Sequence, residues 1–134
     1  MTPVPASGRL LLDTHVFLWA ITADPRLSAK ALAAYEEGQL LLSVASIWEI
    51  VAKYQLGRLE LPAPPSQFLP PQIERNAIAV LPIRARHVLR LEKLPLHHKD
   101  PYDRVLVAQT LEEELTLITD DPLLLAYEGV SSIW

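Results

Sequence analysis

The sequence predicts an α/β domain built on a mostly parallel sheet. Short apolar runs alternate along the chain with longer segments whose apolar residues recur every three to four positions. This alternation is typical of right-handed βαβ units. Glycine ends two of the longer segments, at Gly38 and Gly57, as expected where a helix stops. At 134 residues the chain is about one domain long.

Five short apolar runs are predicted to form the strands. Each has four or five residues and is followed by a turn or helix signal, which is typical of buried strands. The first run leads directly into Asp13, and the fourth ends just before Asp120 and Asp121. The predicted strands span residues 9–13, 40–44, 78–81, 115–119 and 130–133.

Helical spacing and capping residues define the segments between the strands. Ser28 is predicted to cap the second helix, and the Asp100-Pro101 pair starts the longest one, because Asp accepts bonds from free N–H groups and proline suits the first turn. Residues 58–71 contain a cluster of prolines and are predicted to begin with a loop, or a β-ribbon tip at 58–61, and then to enter a proline-interrupted helix. The predicted helices span residues 15–23, 29–37, 46–55, 84–91 and 101–114, with a proline-interrupted helix ending near 76 and a helical turn at 122–126.

Composition limits the class of protein. Half of the residues are apolar and 21% are charged, which fits one globular domain over residues 9–134, after a flexible tail at 1–8. The absence of cysteine excludes disulfides and thiolate metal sites and suits a reducing compartment. No apolar stretch reaches the roughly 20 residues of a membrane span, and no secretion signal precedes the first strand. We expect a cytoplasmic protein without membrane contact.

Net charge argues against nucleic-acid binding by bulk positive potential, because it is −4. The distribution is uneven, however. Six of the twelve Lys and Arg residues and three of the four His residues lie between positions 84 and 104. This basic segment is able to contact phosphates, and a solvated helix face is the alternative interpretation.

Four acidic residues stand where predicted strands give way to helices: Asp13, Glu49, Asp103 and Asp121. The carboxyl ends of parallel strands meet at one edge of a sheet, so we expect these side chains to gather there. Two carboxylates about 5 Å apart at an effective dielectric of about 20 repel by about 3 kcal/mol. Oxygen-rich sites suit Mg²⁺, with Mn²⁺ as a substitute. The pattern predicts a metal-dependent phosphoryl-transfer site.

Helix capping is the competing explanation for each acid. Ser46 and Glu49 have the spacing of a capping box, and Asp13, Asp100 and Asp121 each precede a predicted helix. Capping does not explain why carboxylates follow buried strands, where an unpaired charge is costly. We assign Asp100 to capping.

Basic, aromatic and histidine side chains near the acids have weaker assignments. Lys53 and Arg104 are candidates for orienting the carboxylates or contacting a phosphate. Trp48 is expected in the core. A zinc site at His97 and His98 is disfavoured, because neighbouring side chains do not converge on one metal and no cysteine is available.

At these residues the chain resembles the PIN domain, specifically the VapC-type toxin ribonucleases of bacterial toxin–antitoxin pairs. The resemblance runs in order through nearly the whole chain, and its 97–104 block is specific. The segments that carry it are Leu-Leu-Asp-Thr-His at 11–15, Ser-x-x-Ser-x-Trp-Glu-Ile-x-x-Lys at 43–53, His-His-Lys-Asp-Pro-Tyr-Asp-Arg at 97–104 and Leu-Ile-Thr-x-Asp at 117–121.

The resemblance implies a three-layer α/β/α fold on about five strands and Mg²⁺-dependent cleavage of RNA. It assigns the acidic quartet to Asp13, Glu49, Asp103 and Asp121 as catalytic residues and metal ligands. Thr119 matches the family's small hydroxyl residue, and its Thr-x-Asp spacing selects Asp121 rather than Asp120.

The resemblance also implies neutralisation by a cognate antitoxin protein. We expect a homodimer, with apolar helix surface near Phe17, Trp19 and Leu32 available to a partner. The alternative function is a catalytically silent PIN-fold module that binds RNA or protein, against which the intact quartet argues. A haloacid-dehalogenase phosphatase is excluded, because Asp13-Thr14-His15 lacks the second Asp of its motif. A receiver domain is also excluded, because this sequence lacks the phosphoacceptor that a receiver carries on a later strand.

Overall fold

The computed structural model of the chain describes residues 8–134, so the predicted tail, apart from Gly8, lies outside the described residues. Five strands form one sheet in the order β3-β2-β1-β4-β5, and every neighbouring pair is parallel. The strands are β1 Arg9–Leu12, β2 Gln39–Ser43, β3 Ala79–Leu81, β4 Thr116–Ile118 and β5 Ser131–Ile133. The helices are α1 Thr14–Ile21, α2 Ala29–Glu37, α3 Val44–Gln55, α4 Pro65–Arg75, α5 Ala85–Arg90, α6 Pro101–Glu112 and α7 Pro122–Leu125.

Helices cover both faces of the sheet, because successive strand residues point to opposite sides. Leu10 and Leu12 of β1 pack with α1, α2 and α4 in one buried cluster. Leu11, between them, packs with α6 and α7 in a second buried cluster. The predicted three-layer α/β/α architecture on five parallel strands is confirmed.

The strand order creates the position of the functional site. The chain moves outward from β1 to β2 and β3, and then returns to place β4 on the other side of β1. A crevice opens beyond the carboxyl ends of the strands at such a reversal of direction. Asp13 directly follows β1, and Thr119 directly follows β4.

Two local predictions were wrong. Helix α3 begins at Val44 rather than at 46, because Ser43 ends β2 and its hydroxyl accepts a bond from the Ala45 N–H. No strand forms at residues 58–61, where the chain bends at 58 and 59 before it reaches α4. Strand β2 therefore passes into α3 without an intervening residue.

The burial of two aromatic residues also differs from expectation. Phe17 is fully buried in the core, so it is not part of a free surface. Trp48 is 57% exposed, because it lies on the side of α3 that faces away from the sheet and meets the edge of the Tyr102 ring. Leu32 is 42% exposed, which agrees with its predicted place on an apolar helix surface. Within residues 8–134, no helix combines the length and the apolar character needed to cross a membrane.

Phe17→Ala should lower the free energy of unfolding by about 3–5 kcal/mol, because it leaves a cavity in the α1–sheet core. Leu32→Ala on the neighbouring helix should cost far less, since that side chain already meets solvent. Urea unfolding of both variants measures the difference. Equal small losses would place Phe17 outside the core.

Candidate metal centre

Asp13 occupies the centre of the crevice, at the point where β1 ends. Its backbone N–H continues the sheet by donating to the Ile118 carbonyl over 3.1 Å. Its carboxylate is almost completely buried and does not cap α1. The Thr119 hydroxyl donates to Asp13 Oδ2 over 2.6 Å. The side chain therefore points into the space between β1 and β4, and the capping explanation fails for this residue.

Glu49 enters the same space from α3. Because Ser43 is the N-cap, Ser46 lies inside the first turn, where its hydroxyl accepts a bond from Thr14 over 2.8 Å. The capping box with Glu49 is therefore absent. Glu49 is only 4% exposed. Its Oε2 accepts from Lys53 Nζ over 2.6 Å, while its buried Oε1 has no hydrogen-bond partner within residues 8–134.

Asp103 and Asp121 face each other across the imidazole of His98. The ring Nε2 lies 3.0 Å from Asp103 Oδ2 and 3.4 Å from Asp121 Oδ2. One donor atom from each of the three residues lies within 4.8 Å of the others, a spacing suited to a metal ion. Asp121 also caps α7, because its Oδ1 accepts from the Leu123 N–H. Capping and a site position are therefore compatible in this residue.

Two further acids lie beside the quartet. Asp100 caps α6, because its Oδ1 accepts from the N–H groups of Tyr102 and Asp103. Asp120 turns outward and meets His15 Nε2 at 2.9 Å. The structure thus places Asp121, rather than Asp120, next to Asp103.

The carboxylates strongly perturb one another. Burial, followed by the charges of Asp13, Asp100, Glu49 and Asp121, raises the pKa of Asp103 to about 8. Burial also raises the pKa of Asp13, although His15 and the Thr119 hydroxyl oppose this. All four predicted acids therefore belong to one electrostatic cluster. A crevice of about 300 Å³ is lined by three of them, Asp13, Glu49 and Asp103, and by Asp100.

The donor set fits a hard divalent cation. Carboxylate oxygens dominate the crevice, whereas its basic lining residues are Lys53, Arg58 and His15, whose Nδ1 lies 3.4 Å from Asp13 Oδ2. Lys53 is already bonded to Glu49. The buried, unpartnered Oε1 of Glu49 is an independent sign that a ligand belongs here, because a native buried oxygen normally has a partner. Asp13, Glu49, Asp103 and Asp121 are the residues able to hold Mg²⁺ or Mn²⁺.

Arg104 does not take the predicted role of a phosphate contact. Its Nη2 donates to the carbonyls of Leu91 and Leu94, so the guanidinium holds the segment before α6. Within the basic segment, Arg86 and Arg90 pair with acids at the end of α6. Three of the six Lys and Arg residues in the basic segment therefore stabilise the fold through contacts within the chain.

Sequence reasoning missed the roles of three residues at the site. His15 lines the crevice beside Asp13, and its only signal was its position two residues after that acid. Arg58 lines the crevice from the segment after α3. The only sign of this position in the sequence is Gly57, which ends the helix just before it. His98 was considered only as a zinc ligand paired with His97. The useful signal was its distance of five residues from Asp103, with the capping Asp100 between them.

An open parallel sheet with a carboxylate-lined crevice at its point of reversal defines an α/β domain with an acidic metal-type centre. The sequence profile of the PIN domain matches residues 10–129. The chain therefore belongs to the PIN domain family.

Known proteins are similar to the chain in sequence and in structure. Ribonuclease VapC16 of Mycobacterium tuberculosis is 31% identical over 67 residues, which is 50% of this chain and 48% of that protein. The chain thus aligns with about half the length of this relative. The crystal structure of VapBC2 from Rickettsia felis, bound to a DNA fragment from their promoter, gives a TM-score of 0.69 at 14% identity. That match covers 92% of this chain and 96% of the matched chain, and it supports the fold.

The raised pKa of Asp103 predicts that the metal-free protein loses stability as pH rises from about 4 to 8. In this window folded Asp103 holds a proton that the unfolded chain, with a pKa near 3.8, has lost. The free energy of unfolding therefore falls with increasing pH. Urea unfolding in chelator from pH 5 to pH 8 should show a smaller fall for Asp103→Asn than for the wild type.

Asp24→Asn is the matched control. Arg26 holds the pKa of Asp24 at about 2, so this variant should leave the slope between pH 5 and pH 8 unchanged. If Asp103→Asn keeps the full wild-type slope, Asp103 does not retain its proton in the folded state.

Proposed function

We propose that the chain is a Mg²⁺-dependent endoribonuclease that hydrolyses RNA phosphodiester bonds as the VapC-type toxin of a toxin–antitoxin pair. The observation that carries this proposal is the convergence of Asp13, Glu49 and Asp121 on the partly buried Asp103, whose pKa they help to raise. Membership of the PIN domain family and the similarity to Ribonuclease VapC16 support it.

The four carboxylates have separate assignments toward the metal. Asp13 and Asp103 would hold Mg²⁺ directly, Asp121 would act as an outer ligand through water, and Mn²⁺ would substitute. A bound divalent cation supplies positive charge against the phosphodiester and lowers the pKa of a water. The Thr119 hydroxyl orients Asp13 by donating to its Oδ2.

Glu49 would accept the proton of the attacking water. Its Oε1 is the carboxylate oxygen without a partner, and the bond from Lys53 to Oε2 keeps Oε1 turned away from the ammonium group. Lys53 is half exposed, so it can also approach a phosphate oxygen from the solvent side. Arg58 is the second candidate for an RNA contact.

A catalytically silent PIN-fold module is the alternative function. It would bind RNA or protein without turnover. Burying several carboxylates together destabilises a fold unless a ligand offsets their charge. A silent module has no use for this arrangement, which favours the enzyme.

The cognate antitoxin would inhibit the enzyme through the crevice. An Arg or Lys side chain from the antitoxin would form charge-assisted bonds with the surplus carboxylates. The fold similarity to VapBC2 from Rickettsia felis supports a partner of this type. As an enzyme acting on cellular RNA, the protein would work in the cytoplasm.

A homodimer is the proposed assembly, and exposed leucines support it. Leu96 and Leu89 are 80% and 68% exposed, and Leu89 borders a groove of about 1120 Å³. Packing these side chains against a second copy of the chain would remove their apolar surface from water. Light scattering should give twice the chain mass of 15.0 kDa. A single-chain mass at all concentrations would contradict the dimer.

Asp13→Asn, Glu49→Gln and Asp103→Asn should each reduce RNA cleavage by at least about 100-fold, because each removes a metal oxygen or the proton acceptor. Chelator should abolish wild-type cleavage, and Mg²⁺ or Mn²⁺ should restore it. Gel analysis of a labelled single-stranded RNA measures the rates, with circular dichroism to verify folding.

Glu36→Gln serves as the control for this series, because Glu36 is an exposed acid on α2. It should cleave at the wild-type rate. Full activity of any folded quartet variant would remove that residue from the mechanism, and cleavage that persists in chelator would refute the metal requirement.

Expression of the chain alone should arrest growth of a bacterial host, whereas the Glu49→Gln variant should not. Co-expression of the small neighbouring gene should restore growth if it encodes the antitoxin. Normal growth in the presence of folded wild-type protein would favour the silent module.

A further inference from the structure

We infer that His98 is a positioning residue that holds Asp103 and Asp121 through its Nε2–H, and that it is not a metal ligand. The inference deepens the proposed function and rests on it for the presence of the metal. The arrangement of His98 between the two acids allows two interpretations, and the inference selects one of them. The donor atoms of His98, Asp103 and Asp121 lie within 4.8 Å of one another, which suits either a ligand triad or a bridging hydrogen-bond donor.

The other ring nitrogen settles the choice. The backbone N–H of Asp100 donates to His98 Nδ1 over 3.1 Å. An Nδ1 that accepts a hydrogen bond carries no proton, so the neutral ring has its proton on Nε2. A protonated Nε2 is a donor and has no lone pair for a metal. The nearby oxygens of Asp103, at 3.0 Å, and Asp121, at 3.4 Å, are its acceptors.

The surrounding chain holds the ring in this orientation. The backbone N–H of His98 donates to the hydroxyl of Tyr127, a buried residue that follows α7. Asp100, which supplies the N–H for Nδ1, is itself held as the N-cap of α6. Rotating the ring to free Nε2 would therefore break the bond to Asp100.

The consequence concerns which metal the site selects. With Nε2 as a donor, the ligand set contains carboxylate oxygen alone, which suits Mg²⁺ and Mn²⁺ better than Zn²⁺. His98 instead brings together one carboxylate from α6 and one from the start of α7, and orients both. Residues that orient metal ligands commonly change metal affinity by about 10- to 100-fold when removed.

The first test reads the ring directly in metal-free wild-type protein. Two-bond proton–nitrogen NMR of the histidine side chains distinguishes the two neutral forms of the ring. We expect His98 to show protonated Nε2 and unprotonated Nδ1, with the assignment made by loss of its signals in His98→Gln. A proton on Nδ1 would overturn the inference.

The second test measures binding of Mn²⁺ alone. His98→Gln retains an N–H donor and should bind within about three-fold of the wild type, whereas His98→Leu should bind about 10- to 100-fold more weakly. His97→Leu is the matched control and should remain within about three-fold, since that ring packs on Tyr127 outside the cluster. Equal affinity of His98→Leu and the wild type, or equal weakness of His98→Gln and His98→Leu, would overturn the positioning role.

Pulsed electron paramagnetic resonance of wild-type protein with Mn²⁺ completes the test without any variant. We expect no directly coordinated ¹⁴N. A ¹⁴N coupling that disappears in His98→Gln would make His98 a ligand and overturn the inference while leaving the proposed metal site intact. Absence of any Mn²⁺ binding by the wild type would instead overturn the proposed metal-dependent function, and this inference with it.

Discussion

Negative charge collected at one edge of the sheet is the constraint on which the site depends. Asp13, Glu49, Asp103 and Asp121 come from four different elements, yet the charges of the other three contribute to the raised pKa of Asp103. Desolvation and like-charge repulsion both oppose this gathering. The apolar layers around β1 and β4 hold the backbone in place and keep the acids together. The apolar layers therefore stabilise the folded state, and the clustered carboxylates lower that stability.

The order of the strands explains why these particular residues meet. Since β1 lies between β2 and β4, the first residue after β1 faces both the helix that follows β2 and the loop that follows β4. Asp13 consequently bonds to Thr119, and Thr14 bonds to Ser46 of α3. Both bonds join residues far apart in sequence. They connect the two halves of the chain at the crevice itself.

The sequence predicted the alternation of strands and helices well, because hydrophobic periodicity and capping residues are local signals. It failed where geometry depends on distant contacts. Helix α3 begins two residues earlier than predicted. Ser43 and Ser46 are both acceptable N-caps, and the end of β2 in the sheet determines which of them is used. Trp48 was assigned to the core, but the rotation of α3 places it outside. Arg104 faces backbone carbonyls that no local pattern revealed.

Capping and site chemistry share the same residues at this edge, which is why the two explanations of the acids were hard to separate by sequence. Asp121 caps α7 with one oxygen and faces His98 with the other. Asp100 caps α6 with its carboxylate, receives no metal role, and yet fixes the His98 ring through its N–H and helps to raise the pKa of Asp103. A helix N-terminus favours nearby negative charge. Starting α6 and α7 at the crevice therefore lowers the cost of collecting carboxylates there, so capping these helices supports the acidic site.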